Sequence, residues 1–348
     1  MNIAQLAPLV ERVPPKKYGG TERVVHALTE ELVRRGHDVT LFATGDSLTS
    51  ARLESVYPRA LREARLKNIY GVNQWTLLSL GLAYEMQDEF DIIHDHLGPV
   101  SLPTANLSTT PVVTTMHGPF HAEDRRLFET LSSPAVVTIS KSQAYSAPRI
   151  NHAGTVYNGL PMEEYPFGAQ PGEYLLFVGR LMPDKGPHLA IEVAQQLDMP
   201  LILAAKLERM FQPYFRDYIE PWLSDRIRWI GEVDEVERNE LMSKALCLLH
   251  PITWREPFGL TLIEAMACGC PVIALNRGSI PEIIKSGETG YVVEDTESMV
   301  DAVEMLKSID RAACRAHALQ SFSVKRMADE YEEIYRKLIN GKGSQKVA

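Results

Sequence analysis

The chain has 348 residues, 45% of them hydrophobic, and a formal net charge of −9 at pH 7. This length is sufficient for two domains of ordinary size, each of which buries its own core. The acidic balance argues against a nucleic-acid-binding protein, because contact with a phosphate backbone depends on an excess of Lys and Arg.

The beginning of the chain carries Arg12, Lys16 and Lys17, which interrupt any apolar stretch of the kind found in a secretory signal. No apolar run approaches the roughly 20 residues that a membrane-spanning helix needs. We therefore expect a soluble, cytoplasmic protein.

The cysteines show neither metal-ligand nor redox spacing, since Cys268 and Cys270 are separated by a single residue. We expect buried, reduced thiols at every cysteine position, which are Cys247, Cys268, Cys270 and Cys314.

The first predicted element is a buried strand at residues 2–6, followed by a loop and a helix. Val24, Leu28 and Leu32 share one face of that helix, and Gly36 ends it. A strand at residues 39–43 completes a βαβ unit. Further apolar runs at residues 91–94, 111–115 and 135–139 predict a parallel sheet, which we assign to a first domain of residues 1–160.

A segment rich in Pro and Gly follows, between Pro161 and Gly172, and predicts an interdomain linker. A second alternation of strands and helices then defines a domain of residues 161–321. Its predicted strands lie at residues 174–178, 201–204, 227–230, 246–249 and 272–275. The chain continues into a charged, periodic helix from Val324 to Leu338.

The segment from Glu256 to Glu264 predicts an anion site at the start of a helix. Pro257 suits the first helical position, and Gly269 with Pro271 ends the helix near Cys268. The amides of the first turn would be free to bind a phosphate, and Glu264 would accept hydrogens from hydroxyl groups. These free amides are predicted at Phe258, Gly259 and Leu260.

Two further segments favour phosphate binding. Arg180 and Lys185 follow a predicted strand within one short loop, so both cations can reach one pyrophosphate. We favour this interpretation over one in which they are merely solvated loop charges. Near the start of the chain, Gly19 and Gly20 precede Thr21, which is predicted to cap the helix. The complete Gly-x-Gly-x-x-Gly pattern is absent, which disfavours a nicotinamide dehydrogenase.

Histidines follow two strands of the first predicted domain. His117 ends an apolar strand beside Gly118, and we interpret it as a functional group rather than a structural one. His94 and His96 share one side of their strand while Asp95 faces the other, so a metal site is disfavoured against acceptor binding or a structural role.

Taken in order, these motifs resemble the family 4 glycosyltransferases, which are retaining enzymes of the GT-B fold. The two glutamates separated by seven residues are similar to the family signature, residues 177–186 to its donor-phosphate segment, and residues 18–25 to its N-terminal glycine loop. Other landmarks lie at residues 91–96, 114–118, 139–141 and 158–159. The aspartate that commonly follows the last of these is absent, which leaves the hinge contacts open.

The resemblance implies an α/β protein with two doubly wound, Rossmann-like domains facing a central cleft. It implies that the helix at residues 322–348 packs back on the first domain. The activity implied is transfer of a hexose from a nucleoside diphosphate sugar, most simply UDP-glucose, to a hydroxyl-bearing acceptor, without metal or other cofactor.

The resemblance also implies a role for each site residue. Glu256 would meet the donor sugar, Glu264 the ribose hydroxyls, and the Gly19–Gly20 loop the donor phosphate. Arg180 and Lys185 would stabilise the leaving diphosphate, and His117 would lie near the reacting sugar. On the acceptor side the resemblance suggests His94, His96 and Ser140.

Three alternatives stay open at this point. The first is another enzyme on the same architecture, such as a nucleotide-sugar epimerase or a phosphorylase, and the second is a non-catalytic nucleotide-sugar sensor. The third is peripheral membrane contact through a basic amphipathic helix, for which a solvated helix face is the simpler explanation. The basic residues concerned are Arg59, Arg62, Arg65 and Lys67.

Overall fold

The computed structural model describes residues 1–17, 19–64, 66 and 70–345. Tyr18 of the glycine loop and Arg65 and Lys67 of the basic segment lie outside these residues. The described part of that segment, up to residue 64, forms a turn rather than a helix, and Arg62 pairs with Glu11. The amphipathic-helix interpretation is therefore wrong for the described residues.

The chain divides into two compact units. Unit 1 comprises residues 1–160 and 324–348, and unit 2 comprises residues 161–323. The predicted linker at residues 161–172 is docked on unit 2: a Cβ at Gly168 would lie 1.7 Å from the Ser243 carbonyl oxygen, and one at Gly172 would lie 1.6 Å from that of Lys244. Only glycine permits this approach, so the segment is part of a packed domain.

Unit 1 contains a seven-stranded sheet in which every neighbouring pair is parallel, in the order β3-β2-β1-β4-β5-β6-β7. Its strands are β1 (Asn2–Leu6), β2 (Asp38–Phe42), β3 (Arg52–Glu54), β4 (Ile92–Asp95), β5 (Val112–Met116), β6 (Ala135–Thr138) and β7 (His152–Thr155). The strand order reverses between β1 and β4, and in open parallel sheets ligands bind beyond the strand ends at such a point.

Unit 2 repeats this arrangement with a six-stranded parallel sheet in the order β10-β9-β8-β11-β12-β13. Its strands are β8 (Leu175–Arg180), β9 (Leu201–Lys206), β10 (Ile227–Gly231), β11 (Cys247–His250), β12 (Val272–Leu275) and β13 (Gly290–Val293). Here the order reverses between β8 and β11. The central strands of both sheets are buried on both faces, which explains their continuous apolar runs.

Helices connect most of the strands. They are α1 (Gly20–Arg34), α2 (Gly71–Glu85), α3 (Leu102–Ala105), α4 (Ala122–Thr130), α5 (Lys141–Ser146), α6 (Pro187–Gln196), α7 (Gln212–Tyr218), α8 (Glu235–Lys244), α9 (Leu260–Ala267), α10 (Ile280–Ile283), α11 (Thr296–Met305), α12 (Arg311–Ser321) and α13 (Val324–Gln345). Among the described residues, no helix combines the length and the apolar composition that crossing a bilayer requires.

Helix α1 illustrates how the sequence sets an element. Val24, Leu28 and Leu32 are buried on its inner face. Gly36, at φ 83°, ends it, with its amide donating to the Val33 carbonyl at 2.9 Å. This is the left-handed glycine stop predicted from the sequence. The start differs, because Gly19 is the N-cap and Thr21 lies inside the helix.

The C-terminal helix α13 belongs to unit 1 and packs against α1. Arg35, just after α1, donates to Asp329 at 2.6 Å and to Glu332 at 3.2 Å. Tyr331 and Tyr335 of α13 are buried. The helix therefore supplies both surface ion pairs and core side chains to the sheet.

The cysteines behave as predicted. Each of the four is buried and makes no disulfide. Burial raises the pKa of the Cys270 thiol to about 12, so this side chain is an uncharged packing group at neutral pH.

Candidate functional site

The glycine loop of unit 1 follows β1, at the reversal of the strand order. A Cβ at Gly19 would lie 2.7 Å from the Pro15 Cβ, so this position needs glycine. The Glu22 carboxyl lies beside the loop, and its pKa is raised to about 7 by burial. The first turn of α1 therefore places a buried carboxyl group with a raised pKa beside the loop.

A cavity of about 230 Å³ lies beyond β4 and β5 in the same unit. His96 and His117 both line it, and His96 Nδ1 lies 2.8 Å from His117 Nε2. The other lining residues are Leu97, Gly98, Pro99, Met116, Gly118, Pro119, His121 and Asp124. Of the three predicted acceptor-side residues, His96 lines this cavity, whereas His94 and Ser140 are not among its lining residues.

His94 lies deeper in the sheet and is fully buried. Its Nε2 is 2.7 Å from Thr115 Oγ1, and its Nδ1 is 2.6 Å from the Tyr335 hydroxyl of α13. His96 Nε2 bonds to Gln5 Oε1 at 2.8 Å. A connected polar network thus runs from the cavity to the C-terminal helix, and the structure gives His94 a place inside it.

Burial lowers the pKa of each histidine in this network, because a charged imidazole loses its hydration there. The pKa of His117 falls to about 4, and those of His94 and His96 lie well below their usual range. All three rings are consequently neutral at pH 7. The rings of His96 and His117 therefore offer hydrogen bonds, and no charge, to the cavity that they line.

Asp95 faces away from the histidines, as strand alternation predicts. It accepts hydrogen bonds from the Leu97 amide at 2.8 Å and from Thr114 Oγ1 at 3.1 Å, and from the Ser101 hydroxyl. Across the described ranges, no three His, Cys, Asp or Glu side chains lie close enough together to hold a metal ion.

The backbone that carries His117 is held by Gln143 of α5. The side-chain Nε2 of Gln143 donates to the carbonyls of Met116 at 2.9 Å and Gly118 at 2.7 Å, which lie on either side of the histidine. Ser140 is buried and is the N-cap of α5, where its hydroxyl accepts from the backbone N–H of Gln143 at 3.0 Å. The structure thus places Ser140 in the support of the loop.

In unit 2 the predicted cations lie where the strand order reverses. The sequence predicts Arg180 in a loop, but it is the last residue of β8. The strand extends two residues beyond the apolar run. The guanidinium of Arg180 lies 3.8 Å from Glu208. Lys185 ends the short 3-10 helix that follows, and its Nζ donates to Glu256 Oε2 at 2.8 Å.

Glu256 follows β11, the neighbouring strand at the reversal, and its side chain is only 11% exposed. Its backbone carbonyl accepts from the Ser279 amide at 3.0 Å. A Cβ at Gly278 would lie 2.3 Å from the same carbonyl oxygen. A turn after β12 therefore fixes the backbone of Glu256, a contact that no local sequence pattern indicated.

Helix α9 begins at Leu260 and ends at Ala267, so the predicted start at Pro257 is wrong. Gly259 is the N-cap with φ 92°, a conformation that separates Pro257 and Phe258 from the helix. The Phe258 ring is buried and meets Phe322 edge to face at 5.9 Å. The free amides of the first turn are thus displaced toward Leu260 and beyond.

Glu264 lies in the second turn of α9 and is 1% exposed. Arg238 of α8 donates to Glu264 Oε1 at 2.8 Å and is itself buried. A buried carboxylate needs such a partner, because an unpaired charge in the interior is costly. No sequence pattern indicated Arg238, since it lies 26 residues away on another helix.

His250, the last residue of β11, also escaped the sequence analysis. It is buried, and its Nε2 has no hydrogen-bond partner among the described residues. Burial, with a contribution from the charge of Lys185, lowers its pKa to about 3. Its position at the end of a predicted strand could have identified His250 as a candidate site residue, because ligands bind beyond the strand ends at the reversal of such sheets.

Comparisons with known proteins address the same two units. Residues 18–161 match the family model Glycosyltransferase Family 4, and residues 167–318 match the model Glycosyl transferases group 1. The two matched segments fall on either side of residues 162–166. Both units thus match models of glycosyltransferases.

The individual relatives reported next share 27% or less of their sequence with this chain. The N-acetyl-alpha-D-glucosaminyl L-malate synthase of Bacillus anthracis is 27% identical over 366 aligned residues, which cover 91% of this chain and 93% of that protein. The sucrose-phosphate synthase of Thermosynechococcus elongatus is 18% identical with a TM-score of 0.80, and the alignment covers 98% of this chain and 99% of that one. HepE of Anabaena, solved in complex with UDP and glucose, is 18% identical with a TM-score of 0.75 over 97% and 99% of the two chains.

Proposed function

We propose that this chain, which belongs to the family 4 glycosyltransferases of the GT-B fold, transfers a hexose from UDP-glucose to a hydroxyl-bearing acceptor with retention of configuration. The Lys185–Glu256 pair carries the proposal, because it joins a cation for the diphosphate to a carboxylate for the sugar at 2.8 Å. The similarity to HepE, which was solved with UDP and glucose, supports this choice of donor.

The diphosphate would bind between β8 and the start of α9. An ammonium group has three hydrogens, so Lys185 can keep its bond to Glu256 and still donate to a phosphate oxygen. Arg180 adds a fork of donors, and the N-terminus of α9 adds free amides and a positive dipole. Together these groups would stabilise the charge that grows on the leaving diphosphate, the electrostatic effect that is usually the largest in such catalysis.

Glu256 would hold the donor sugar. One of its carboxylate oxygens bonds to Lys185, and no bond to the other oxygen, Oε1, is present within the described ranges. That oxygen is available to accept a hydrogen from a sugar hydroxyl, while Ser279 and Gly278 keep the backbone in place. A carboxylate so fixed distinguishes a hydroxyl-bearing donor from a bare nucleotide.

Glu264 would accept the ribose hydroxyls, with Arg238 orienting the carboxylate. On the other side of the reaction, the acceptor would approach through the cavity bordered by His96 and His117. Its volume lies below the roughly 300–1,000 Å³ of pockets that hold drug-sized ligands. It therefore suits one hydroxyl-bearing ring or a smaller part of an acceptor.

In the proposed reaction the acceptor hydroxyl attacks the anomeric carbon on the face from which UDP departs. A diphosphate oxygen takes the proton of the attacking hydroxyl, so no protein base is required. Because Arg180, Lys185 and α9 already supply positive charge to the diphosphate, we expect turnover without a divalent cation.

The test is release of UDP from UDP-glucose with a panel of hydroxyl-bearing acceptors, with and without EDTA. We expect release only when an acceptor is present, the same rate in EDTA, and an α-glucoside by NMR. Glu256→Gln is the control, because it keeps the shape of the side chain and removes its charge. Tight UDP-glucose binding with no turnover for any acceptor would favour a sensor, and restoration by manganese after EDTA would refute metal independence.

A further inference from the structure

The amide of Gln5 is enclosed between two histidine rings in the core of unit 1. Its Oε1 lies 2.8 Å from His96 Nε2, and its Nε2 lies 3.3 Å from the Tyr335 hydroxyl and 3.4 Å from His94 Nδ1. An amide oxygen can only accept a hydrogen bond, so His96 Nε2 must be the donor.

The orientation of this amide follows from its surroundings. Gln5 is fully buried, and its side-chain nitrogen donates to the Tyr335 hydroxyl at 3.3 Å while its side-chain oxygen faces His96 Nε2. Buried donors are almost always paired, which favours the orientation observed.

The position of each proton then follows along the network. His96 is neutral because burial lowers its pKa, so with a hydrogen on Nε2 its Nδ1 is an acceptor. His117 Nε2, at 2.8 Å, must therefore donate to His96. A neutral His117 with its hydrogen on Nε2 has a lone pair on Nδ1, and His117 makes no other hydrogen bond within the described part of the chain.

We propose that Gln5 is a positioning residue that fixes the tautomer of His117, so that His117 offers its Nδ1 lone pair to a hydroxyl group in the cavity. The identity of that hydroxyl as one of a substrate rests on the proposed function, whereas the tautomer does not. The cavity consequently selects ligands that donate a hydrogen bond at this point, and it disfavours an ether or carbonyl oxygen in the same place.

The tautomer can be measured directly in the protein without substrate. We expect ¹⁵N NMR of histidine-labelled protein at pH 7 to show a pyridine-type Nδ1 and a pyrrole-type Nε2 for His117, with the resonances assigned by their loss in His117→Asn. A pyrrole-type Nδ1 would overturn the inference.

The role of Gln5 requires a matched pair of variants. Gln5→Leu removes the acceptor for His96, so we expect His117 to become a mixture of both tautomers. Tyr331→Phe removes a hydroxyl at the far end of the same network, where it bonds to Thr115 Oγ1 and not to Gln5, and we expect it to leave the His117 tautomer unchanged. An unchanged tautomer in folded Gln5→Leu would show that Gln5 does not set it, and His96→Phe gives the same readout should Gln5→Leu fail to fold.

Turnover of UDP-glucose by the same proteins separates this inference from the proposed function. We expect Gln5→Leu to slow transfer by roughly tenfold while UDP binding is unchanged, since the side chain of Gln5 bonds to Tyr335 and His96 and to none of the groups proposed to bind the nucleotide. The predicted tautomer without transfer to any acceptor would refute the proposed function alone. Normal transfer with a pyrrole-type Nδ1 would refute the present inference alone.

Discussion

Both candidate sites lie beyond the carboxyl ends of central strands, the cavity of unit 1 beyond β4 and β5 and the charged groups of unit 2 beyond β8 and β11, yet they are built from opposite kinds of side chain. In unit 1, His96 and His117 are neutral and are linked to Gln5 by uncharged hydrogen bonds. In unit 2, Lys185 pairs with Glu256 and Arg238 with Glu264. A network of neutral groups sets the direction of each hydrogen bond, whereas paired charges can stabilise a charged leaving group. The same sheet topology therefore carries two chemically different candidate sites.

The largest effect that would test this contrast is expected for Glu256→Ala. Turnover should fall on the order of a thousandfold, the upper range for removal of one preorganised polar group. UDP affinity should not weaken, because Lys185 loses its carboxylate partner and meets the diphosphate with its full charge. Calorimetry with UDP and donor consumption on one folded preparation make the measurement, and a loss of UDP binding would mean that the roles of Glu256 and Glu264 are exchanged.

The cations come next. We expect Arg180→Ala and Lys185→Ala each to slow transfer by roughly a hundredfold, since each would remove a donor to the leaving diphosphate. Lys244→Ala is the matched control, because Lys244 is 69% exposed and its ion pair among the described residues is with Glu240 on its own helix. Single-turnover rates decide the matter: a wild-type rate in either site variant would remove that residue from the mechanism.

A smaller effect is expected for the buried pair. Glu264→Ala should weaken UDP binding by roughly tenfold to a hundredfold, the loss of about 1.5–3 kcal/mol from a charged hydrogen bond. It should also lower the free energy of unfolding, by up to about 3–5 kcal/mol, because Arg238 loses its buried partner and keeps only the longer pair with the exposed Glu235.

The double variant Arg238→Met with Glu264→Met separates these two effects. It should recover much of the stability in urea titrations, since both charges are gone, and none of the UDP affinity. Recovery of UDP binding along with stability would show that Glu264 acts only on folding.

The smallest predicted effect concerns pH. The folded pKa of His250 is lowered to about 3, below the ordinary His value near 6.5. Between these values the unfolded chain binds a proton that the folded chain does not, so stability falls as the pH is lowered through this window. One such histidine contributes about 1.4 kcal/mol per pH unit.

Two carboxyl groups act in the opposite direction. Burial raises the pKa of Glu22 to about 7 and that of Asp95 to about 6, so the folded state holds protons there that the unfolded state releases. We therefore compare wild type with His250→Asn by urea unfolding between pH 7 and pH 5. The slope of stability against pH should be smaller in the variant, and identical slopes would contradict a neutral, buried His250.

The sequence predicted the central strands well, because strands buried on both faces are continuous apolar runs. It missed β3, β7 and β13, each of which lies at the edge of its sheet and is largely half-exposed. An edge strand has one neighbour and less surface to bury, so it needs no apolar run. The periodic signal on which the prediction depended is absent there.

The site shows the same division. Motifs local in sequence, such as the glycine loop and the Glu256–Glu264 segment, could be identified from neighbouring residues together with their resemblance to the family. Their supports were not, since Gln5 meets His96 across 91 residues and Arg238 meets Glu264 across 26. The start of α9 was misplaced because Pro257 suits a first helical position, whereas the φ of 92° at Gly259 delays the helix.

The docking of α13 on unit 1 bears on how the protein folds during synthesis. His94 is bonded to Tyr335, a residue that the ribosome adds 241 positions later. At about 5–20 residues per second this interval lasts roughly ten seconds to a minute. For most of it the strands of the first sheet have been synthesised while His94 still lacks its bond to Tyr335, and all of unit 2 is made in the meantime. The part of the chain that is translated first is therefore the part whose native core is completed last.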